Sequence, residues 1–138
     1  MISIDLAREL RDAGLHWEPA NGDRFFIPDR DLDDEVFAIA EMTVDMRTVD
    51  GGREIAFNGA VEWALDAIQH SEVVWLPSEM QLRDLLAERF VTLRATSDGF
   101  ACEARIDGTE QVFVATVASD AYGSAVLAAL TGRRFGTD

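Results

Sequence analysis

The sequence has 138 residues, of which 48% are hydrophobic and 28% are charged, and this composition excludes a disordered or fibrous chain. Its net charge of −14, from 26 carboxylates against 12 Lys and Arg, argues against nucleic acid and anionic membranes as partners, because binding to either needs clustered cations. The length fits one hydrophobic core, so we expect residues 1–138 to form a single domain.

The first residues carry neither the basic segment nor the continuous apolar segment of an export signal. No apolar run reaches the roughly 20 residues that span a bilayer. The one cysteine, Cys102, has no partner for an internal disulfide. We therefore expect a cytoplasmic protein, whose acidic surface binds a basic protein, binds cations or only confers solubility.

The first residues also predict a helix. Ser3 is suited to the N-cap, because its hydroxyl can accept from an otherwise unpaired amide. Apolar residues follow at helical spacing, namely Leu6, Leu10 and Ala13. Gly14 can take the left-handed conformation that ends the helix, with Leu15 folding back onto the last turn as in a Schellman motif.

Turn signals and β-branched residues predict strands in the next part of the chain. The predicted strands are residues 24–27, 36–41, 43–49 and 53–57. Asn21-Gly22-Asp23 forms a turn before the first of them, and Asp50-Gly51-Gly52 joins the last two as a hairpin.

Two further helices are predicted on either side of an extended segment at residues 71–76. Asn58 caps the first of these helices, whose apolar face consists of Val61, Ala64, Leu65 and Ile68. Ser78 and Gln81 fit a capping box at the start of the second of these helices. Its predicted buried stripe consists of Leu82, Leu85, Leu86 and Phe90.

The C-terminal third predicts an antiparallel meander followed by a helix. Its strands are residues 91–96, 100–106 and 111–118. Ser119 or Asp120 caps the last helix, Gly132 ends it, and the inward residues are Tyr122, Val126, Ala129 and Leu130. Because strands are grouped with strands, the sequence predicts an α+β fold with a largely antiparallel sheet of about five to seven strands and four helices.

Most catalytic templates are missing from the sequence. It has no phosphate-binding loop, dinucleotide fingerprint, His-Glu-x-x-His or Cys-x-x-Cys motif, so we predict no catalytic residue, cofactor or metal ligand. Cys102 stands at an alternating strand position and is interpreted as a core residue. His16 and His70 each lie at a predicted helix end, where an imidazolium interacts favourably with the negative end of the helix dipole.

An acidic run is the most unusual segment of the sequence. Asp29, Asp31 and Asp33 repeat at every second position, like the start of a calcium loop. The match fails because Asp34 stands where that loop needs glycine, and Ala40 where it needs a bidentate glutamate. We interpret the run as a solvated loop, with a docking patch for a basic partner and adventitious cation binding as alternatives.

Two tryptophans form the other candidate interaction site. Trp17 and Trp75 each lie close to a proline, and they would mark an aromatic interaction site if both were exposed together. The alternative is that they belong to the core, as we expect for most aromatic residues of a domain of this size.

Several segments resemble a family of small, uncharacterised actinobacterial proteins over nearly the whole chain. The segments are Leu6-Ala7-Arg8-Glu9-Leu10-Arg11-Asp12-Ala13-Gly14-Leu15, Trp17, Pro19, Gly22-Asp23-Arg24-Phe25, Ile27-Pro28 and Trp75-Leu76-Pro77-Ser78. Some members carry a pilus-assembly label that belongs to a ParA-like ATPase with a phosphate-binding loop. The sequence has no such loop, so the resemblance implies neither that activity nor any catalytic residue.

The sequence therefore leads to one main hypothesis, a non-catalytic cytoplasmic domain that binds another protein, with a basic partner favoured by its charge. The alternative is a small enzyme or ligand-binding module with a pocket near His16, His70 and the acidic residues. A third hypothesis is mimicry of nucleic-acid charge. The sequence does not determine the oligomeric state.

Overall fold

The computed structural model describes residues 1–26, 36–39 and 73–132. The chain divides into two compact units: a first unit of Met1–His16 with Pro77–Asp138, and a second unit of Trp17–Leu76. The elements in chain order are α1 (Ile4–Asp12), β1 (Arg24–Phe26), β2 (Val36–Ala38), β3 (Val74–Leu76), α2 (Glu79–Leu86), a 3-10 turn (Ala87–Arg89), β4 (Phe90–Ala95), β5 (Phe100–Ile106), β6 (Thr109–Ala115) and α3 (Ala118–Thr131).

Helix α1 begins and ends where its sequence predicts. The Ser3 side chain accepts a hydrogen bond from the Leu6 N–H at 3.3 Å. At the other end Gly14 has a φ of 101° and donates its N–H to the Arg11 carbonyl, while Leu15 donates to the Leu10 carbonyl. These two bonds form the predicted Schellman motif, which pairs carbonyls that the helix leaves unsatisfied.

Helix α1 packs against α3 in the first unit. A Cβ atom placed on Gly123 of α3 would lie 2.7 Å from Cδ2 of Leu6 and 3.2 Å from Cδ1 of Ile2, so glycine permits this close approach. Asp120 adds a polar contact, because its Oδ1 accepts from the Ser3 N–H at 2.8 Å.

Helix α2 begins with the predicted capping box. The Ser78 hydroxyl accepts from the Gln81 N–H at 3.2 Å, and Oε1 of Gln81 accepts from the Ser78 N–H at 2.9 Å. Both bonds satisfy amides that have no partner within the helix, which fixes its first turn.

The predicted buried stripe of α2 is correct in part. Leu82 and Leu86 are fully buried, whereas Leu85 is exposed and Phe90 begins strand β4 instead of extending the helix. The helix ends at Leu86 because Ala87, with a φ of 52°, turns the chain into the 3-10 turn.

Strands β4, β5 and β6 form an antiparallel sheet in that order. Strand β5 has the predicted bounds, while β4 and β6 begin and end earlier than predicted. Helix α3 packs against β5 and β6, and the alternating residues on that side of the sheet are buried, namely Cys102, Ala104, Ile106 and Phe113. This side of the sheet, called the inner face, contributes to the core of the first unit.

The start of α3 differs from its prediction. Its N-cap is Val117, without a side-chain cap, so the prediction of a Ser119 or Asp120 cap is wrong. Ser119 is buried within the first turn, and the Asp120 carboxylate bonds the Ser3 amide instead. A helix whose first turn packs on neighbouring elements needs no local capping side chain to define its start.

The end of α3 agrees with its prediction. Gly132 has a left-handed φ of 71° and donates its N–H to the Ala128 carbonyl. Tyr122 and Val126 are buried as predicted, whereas Leu130 is exposed.

In the second unit, β1 lies between β2 and β3 in an antiparallel sheet. Phe25 lies opposite Phe37 on one side and Trp75 on the other. The predicted turn before β1 is confirmed, since Gly22 has a φ of 85° and donates to the Ile39 carbonyl at 2.8 Å.

The described residues confirm an α+β structure with antiparallel strands, arranged as two three-stranded sheets and not as one sheet. The predicted strands at residues 43–49 and 53–57 and the helix after Asn58 lie outside the described residues. The single-domain prediction stays a prediction.

Candidate functional site

The hairpin between β5 and β6 determines which backbone groups of β6 point outward. Its two-residue turn, Asp107 and Gly108, has φ values of 52° and 80°, the pattern of a type I′ turn. Ile106 and Thr109 therefore form the first hydrogen-bonded pair of the ladder, and such pairs recur at every second residue. The residues between them point their N–H and C=O groups away from β5, and these are Glu110, Val112 and Val114.

Strand β6 is an edge strand, and no strand in the part of the chain that the structure describes pairs with its outer side. Such an edge presents a row of unpaired donors and acceptors that can pair with another strand, and proteins usually block it with charges, proline or a bulge. Strand β4, at the other edge, has a register irregularity at Val91. Strand β6 has a regular register and no proline.

The side chains of the outward residues lie on the face of the sheet opposite α3, called the outer face. Val112 lies across from Glu103, and Val114 lies across from Ala101. Val112 is 50% exposed and Val114 is 68% exposed. The strand edge that is open to pairing is thus also the edge that exposes two neighbouring valines.

The charges on the outer face cancel. Arg94 lies 3.6 Å from a Glu103 carboxylate oxygen, and Arg105 lies 3.2 Å from one of Glu110. The Thr92 hydroxyl also donates to Glu103 at 3.0 Å. Exposed ion pairs contribute little to stability, but two cations against two anions leave this face neutral in a chain of net charge −14. We call Glu110, Val112 and Val114, with these charged neighbours, the β6 surface.

In the second unit, the two tryptophans of the candidate aromatic site contact each other. The rings of Trp17 and Trp75 are stacked, with centroids 6.2 Å apart and planes inclined by 8°. Trp17 also meets the Phe25 ring at 5.8 Å. Both tryptophans are half-buried, so the condition that they be exposed together is not met, and their ring faces pack on each other.

A buried carboxylate holds one of these indoles. Asp23 is 5% exposed, and its Oδ2 accepts from Trp17 Nε1 at 2.8 Å and from the Ala20 N–H at 3.0 Å. Nε1 of Trp75 is buried and has no hydrogen-bond partner among the residues that the structure describes. The cluster therefore ties the segment before β1 to the small sheet, and we interpret it as packing that stabilises the second unit.

The acidic candidates Asp29, Asp31, Asp33 and Asp34 lie outside the described residues, as does His70. The prediction that the acidic run docks a basic partner therefore stays a prediction. His16 is an exposed residue beyond the end of α1. Among residues 1–26, 36–39 and 73–132, no three His, Cys, Asp or Glu side chains are placed to hold a metal ion.

Cys102 is a core residue, as predicted. It is fully buried, and this burial, together with the nearby negative charge of Glu103, raises the pKa of its thiol to about 11. A thiol with this pKa carries almost no thiolate near pH 7, so Cys102 is unsuited to nucleophilic catalysis.

The described ranges contain no helix that is both long enough and apolar enough to cross a membrane.

The β6 surface is the feature that the sequence analysis missed. Its signal is Val112-Phe113-Val114, where apolar residues occupy both faces of a strand that has only one face on the core. This pattern is typical of a strand, but a sheet that is covered on one side normally alternates apolar and polar residues.

No protein-family model, curated protein or solved structure matches the chain. The resemblance to an actinobacterial family therefore stays a prediction.

Proposed function

We propose that this chain is a non-catalytic, cytoplasmic protein-interaction domain that binds an extended segment by adding a strand to β6. In this mode of recognition, main-chain hydrogen bonds supply affinity and the side chains beside the edge supply selectivity. The observation that supports the proposal most is the regular outer edge of β6, which no described strand pairs, with Val112 and Val114 exposed beside it.

The side chains favour an apolar contact at the centre of this surface. Two valines at alternate positions contact the residues directly across on an added strand, and such cross-strand pairs contribute roughly 0.2–1 kcal/mol each. The ion pairs Arg94–Glu103 and Arg105–Glu110 frame the valines with a polar rim. An apolar centre with a polar rim is the usual composition of a protein interface.

The hypothesis of a basic partner has a separate basis, the net charge of the whole chain. A charge of −14 attracts cations over long distances and speeds their association. The β6 surface itself is neutral, so it supports strand addition without selecting basic side chains.

Affinity purification with matched variants tests the proposed function. Val114→Pro removes an outward N–H and leaves the ladder to β5 intact, because that ladder uses the residues on either side. Met80→Lys serves as the control. It changes an exposed apolar residue on α2, an element far from β6 in sequence. We expect the wild-type chain and Met80→Lys to retain the same proteins and Val114→Pro to lose them.

Retention of the same proteins by Val114→Pro would contradict strand addition. A tightly held metabolite, recovered with no protein partner, would contradict the interaction function and favour the ligand-binding alternative.

A further inference from the structure

We propose that the strand added to β6 is the β6 strand of a second copy of this chain, paired antiparallel about a two-fold axis at Phe113. This inference rests on the proposed function, since it names the partner of the same surface. The dimer would join two three-stranded sheets into one continuous sheet.

The outward pattern of β6 is symmetric in character about Phe113. The outer face of β6 carries Glu110 and then the two valines, Val112 and Val114, which lie on either side of Phe113. In an antiparallel pair centred on Phe113, Val112 of one copy lies opposite Val114 of the other, and Glu110 lies beyond this central pair. At the centre of the pair, apolar side chains therefore meet apolar side chains.

The backbone register agrees with this pairing. Val112 and Val114 both point their N–H and C=O groups outward, so a Val112–Val114 pair across the axis is a hydrogen-bonded pair in which both bonds form. The symmetric pair forms the same bonds, giving about four central hydrogen bonds between the copies. A register shifted by one residue would place outward groups opposite groups that already bond β5.

The charge distribution favours this face as the place where two like-charged copies meet. Two chains of net charge −14 repel each other, and the repulsion is smallest where the approaching surfaces are neutral. The four charges of the outer face form the pairs Arg94–Glu103 and Arg105–Glu110 within each copy. When two copies meet at this face, no unpaired charge on the outer face of one copy therefore approaches the other copy.

The contact is small, so the dimer is weak. Each copy contributes two exposed valines and one strand edge, so the contact buries little apolar surface. We expect a dissociation constant on the order of 10–100 μM. Salt screens the repulsion between the copies, so dimerisation strengthens as ionic strength rises.

Sedimentation equilibrium on the purified chain tests the inference. We expect a monomer–dimer equilibrium that is at least about 3-fold tighter in about 0.5 M NaCl than in about 0.05 M NaCl. Val114→Pro should weaken it at least about 10-fold, because each substitution acts twice in a symmetric dimer. Val114→Thr keeps the edge and should weaken it by about 3-fold, and Met80→Lys should leave it unchanged.

Three outcomes would overturn the inference: a chain that stays monomeric to about 1 mM, a dimer that Val114→Pro does not weaken, or a dimer that salt weakens. If the chain is monomeric, and Val114→Pro loses partners that the wild type retains in affinity purification, only the assignment of a second copy is overturned. The proposed function would then stand, with a different protein as the partner.

Discussion

The indole N–H of Trp17 donates a 2.8 Å hydrogen bond to the buried carboxylate of Asp23, and the same carboxylate oxygen accepts from the Ala20 amide. One carboxylate oxygen thus accepts hydrogen bonds from two donors in the segment that leads into β1. The Trp17–Trp75 stack depends on this arrangement, because the bond fixes the orientation of the Trp17 ring.

Removing the Asp23 carboxylate should destabilise the second unit. Asp23→Ala leaves the Trp17 and Ala20 N–H groups without this acceptor, and an unpaired buried donor costs about 1–3 kcal/mol. We expect the free energy of unfolding to fall by about 2 kcal/mol in urea denaturation followed by tryptophan fluorescence. Asp12→Ala, which removes an exposed carboxylate beside Arg11, should change it by less than about 0.5 kcal/mol. Equal effects of the two substitutions would contradict this role of Asp23.

A methyl group at Gly99 should disturb the end of β6. A Cβ atom there would overlap the Ala115 carbonyl oxygen and lie 2.7 Å from Cα of Thr116, so the backbone must move. We expect Gly99→Ala to lower the free energy of unfolding by about 1–3 kcal/mol. Ser97→Ala, in the same turn, serves as the matched control. Unchanged stability of Gly99→Ala would show that the turn accommodates the methyl group.

The capping box of α2 should contribute measurably to stability. Ser78→Ala removes the acceptor for the Gln81 amide and should lower the free energy of unfolding by about 1 kcal/mol. Gln81→Ala removes the reciprocal bond to the Ser78 amide and should have a smaller effect. Circular dichroism during thermal unfolding measures both. A Ser78→Ala variant as stable as the wild type would contradict the capping assignment.

Cys102 should make stability depend on pH in alkaline solution. Burial, with the Glu103 charge as the second cause, raises the thiol pKa from 9.0 to about 11, so the folded state holds the proton more tightly than the unfolded state does. This contribution to stability is complete below about pH 9 and is lost as pH rises towards about 11. We expect the free energy of unfolding to fall more steeply over this interval in the wild type than in Cys102→Ala. Parallel pH profiles of the two proteins would contradict the raised pKa.

The sequence predicted those features that depend on neighbouring residues. The Ser3 cap, the Gly14 end of α1 and the Ser78–Gln81 box each follow from bonds within a few residues. The start of α3 at Val117 and the exposure of Leu85 depend on what packs against each helix, which local signals do not contain. The separation of the strands into two sheets likewise depends on long-range pairing.

For the candidate site, the sequence singled out Trp17 and Trp75 together, and the structure brings them into contact as half-buried rings that pack on each other. Its one signal for the β6 surface is Val112-Phe113-Val114, which does not locate an edge, because whether a strand lies at an edge depends on how the whole sheet is ordered. Val112 and Val114 are ordinary strand residues in the sequence, and the order β4-β5-β6 puts them beside an edge that no strand of the described ranges pairs.

Amide hydrogen exchange at individual residues of β6, measured by NMR at low and high protein concentration, tests the central claim most directly. The Gln111 and Phe113 amides bond β5 and should be protected at every concentration, whereas the Val112 and Val114 amides should exchange fast in dilute protein. If β6 pairs with a second copy, protection of the Val112 and Val114 amides rises with concentration. Fast exchange at both residues at every concentration would contradict the pairing of two copies through this edge.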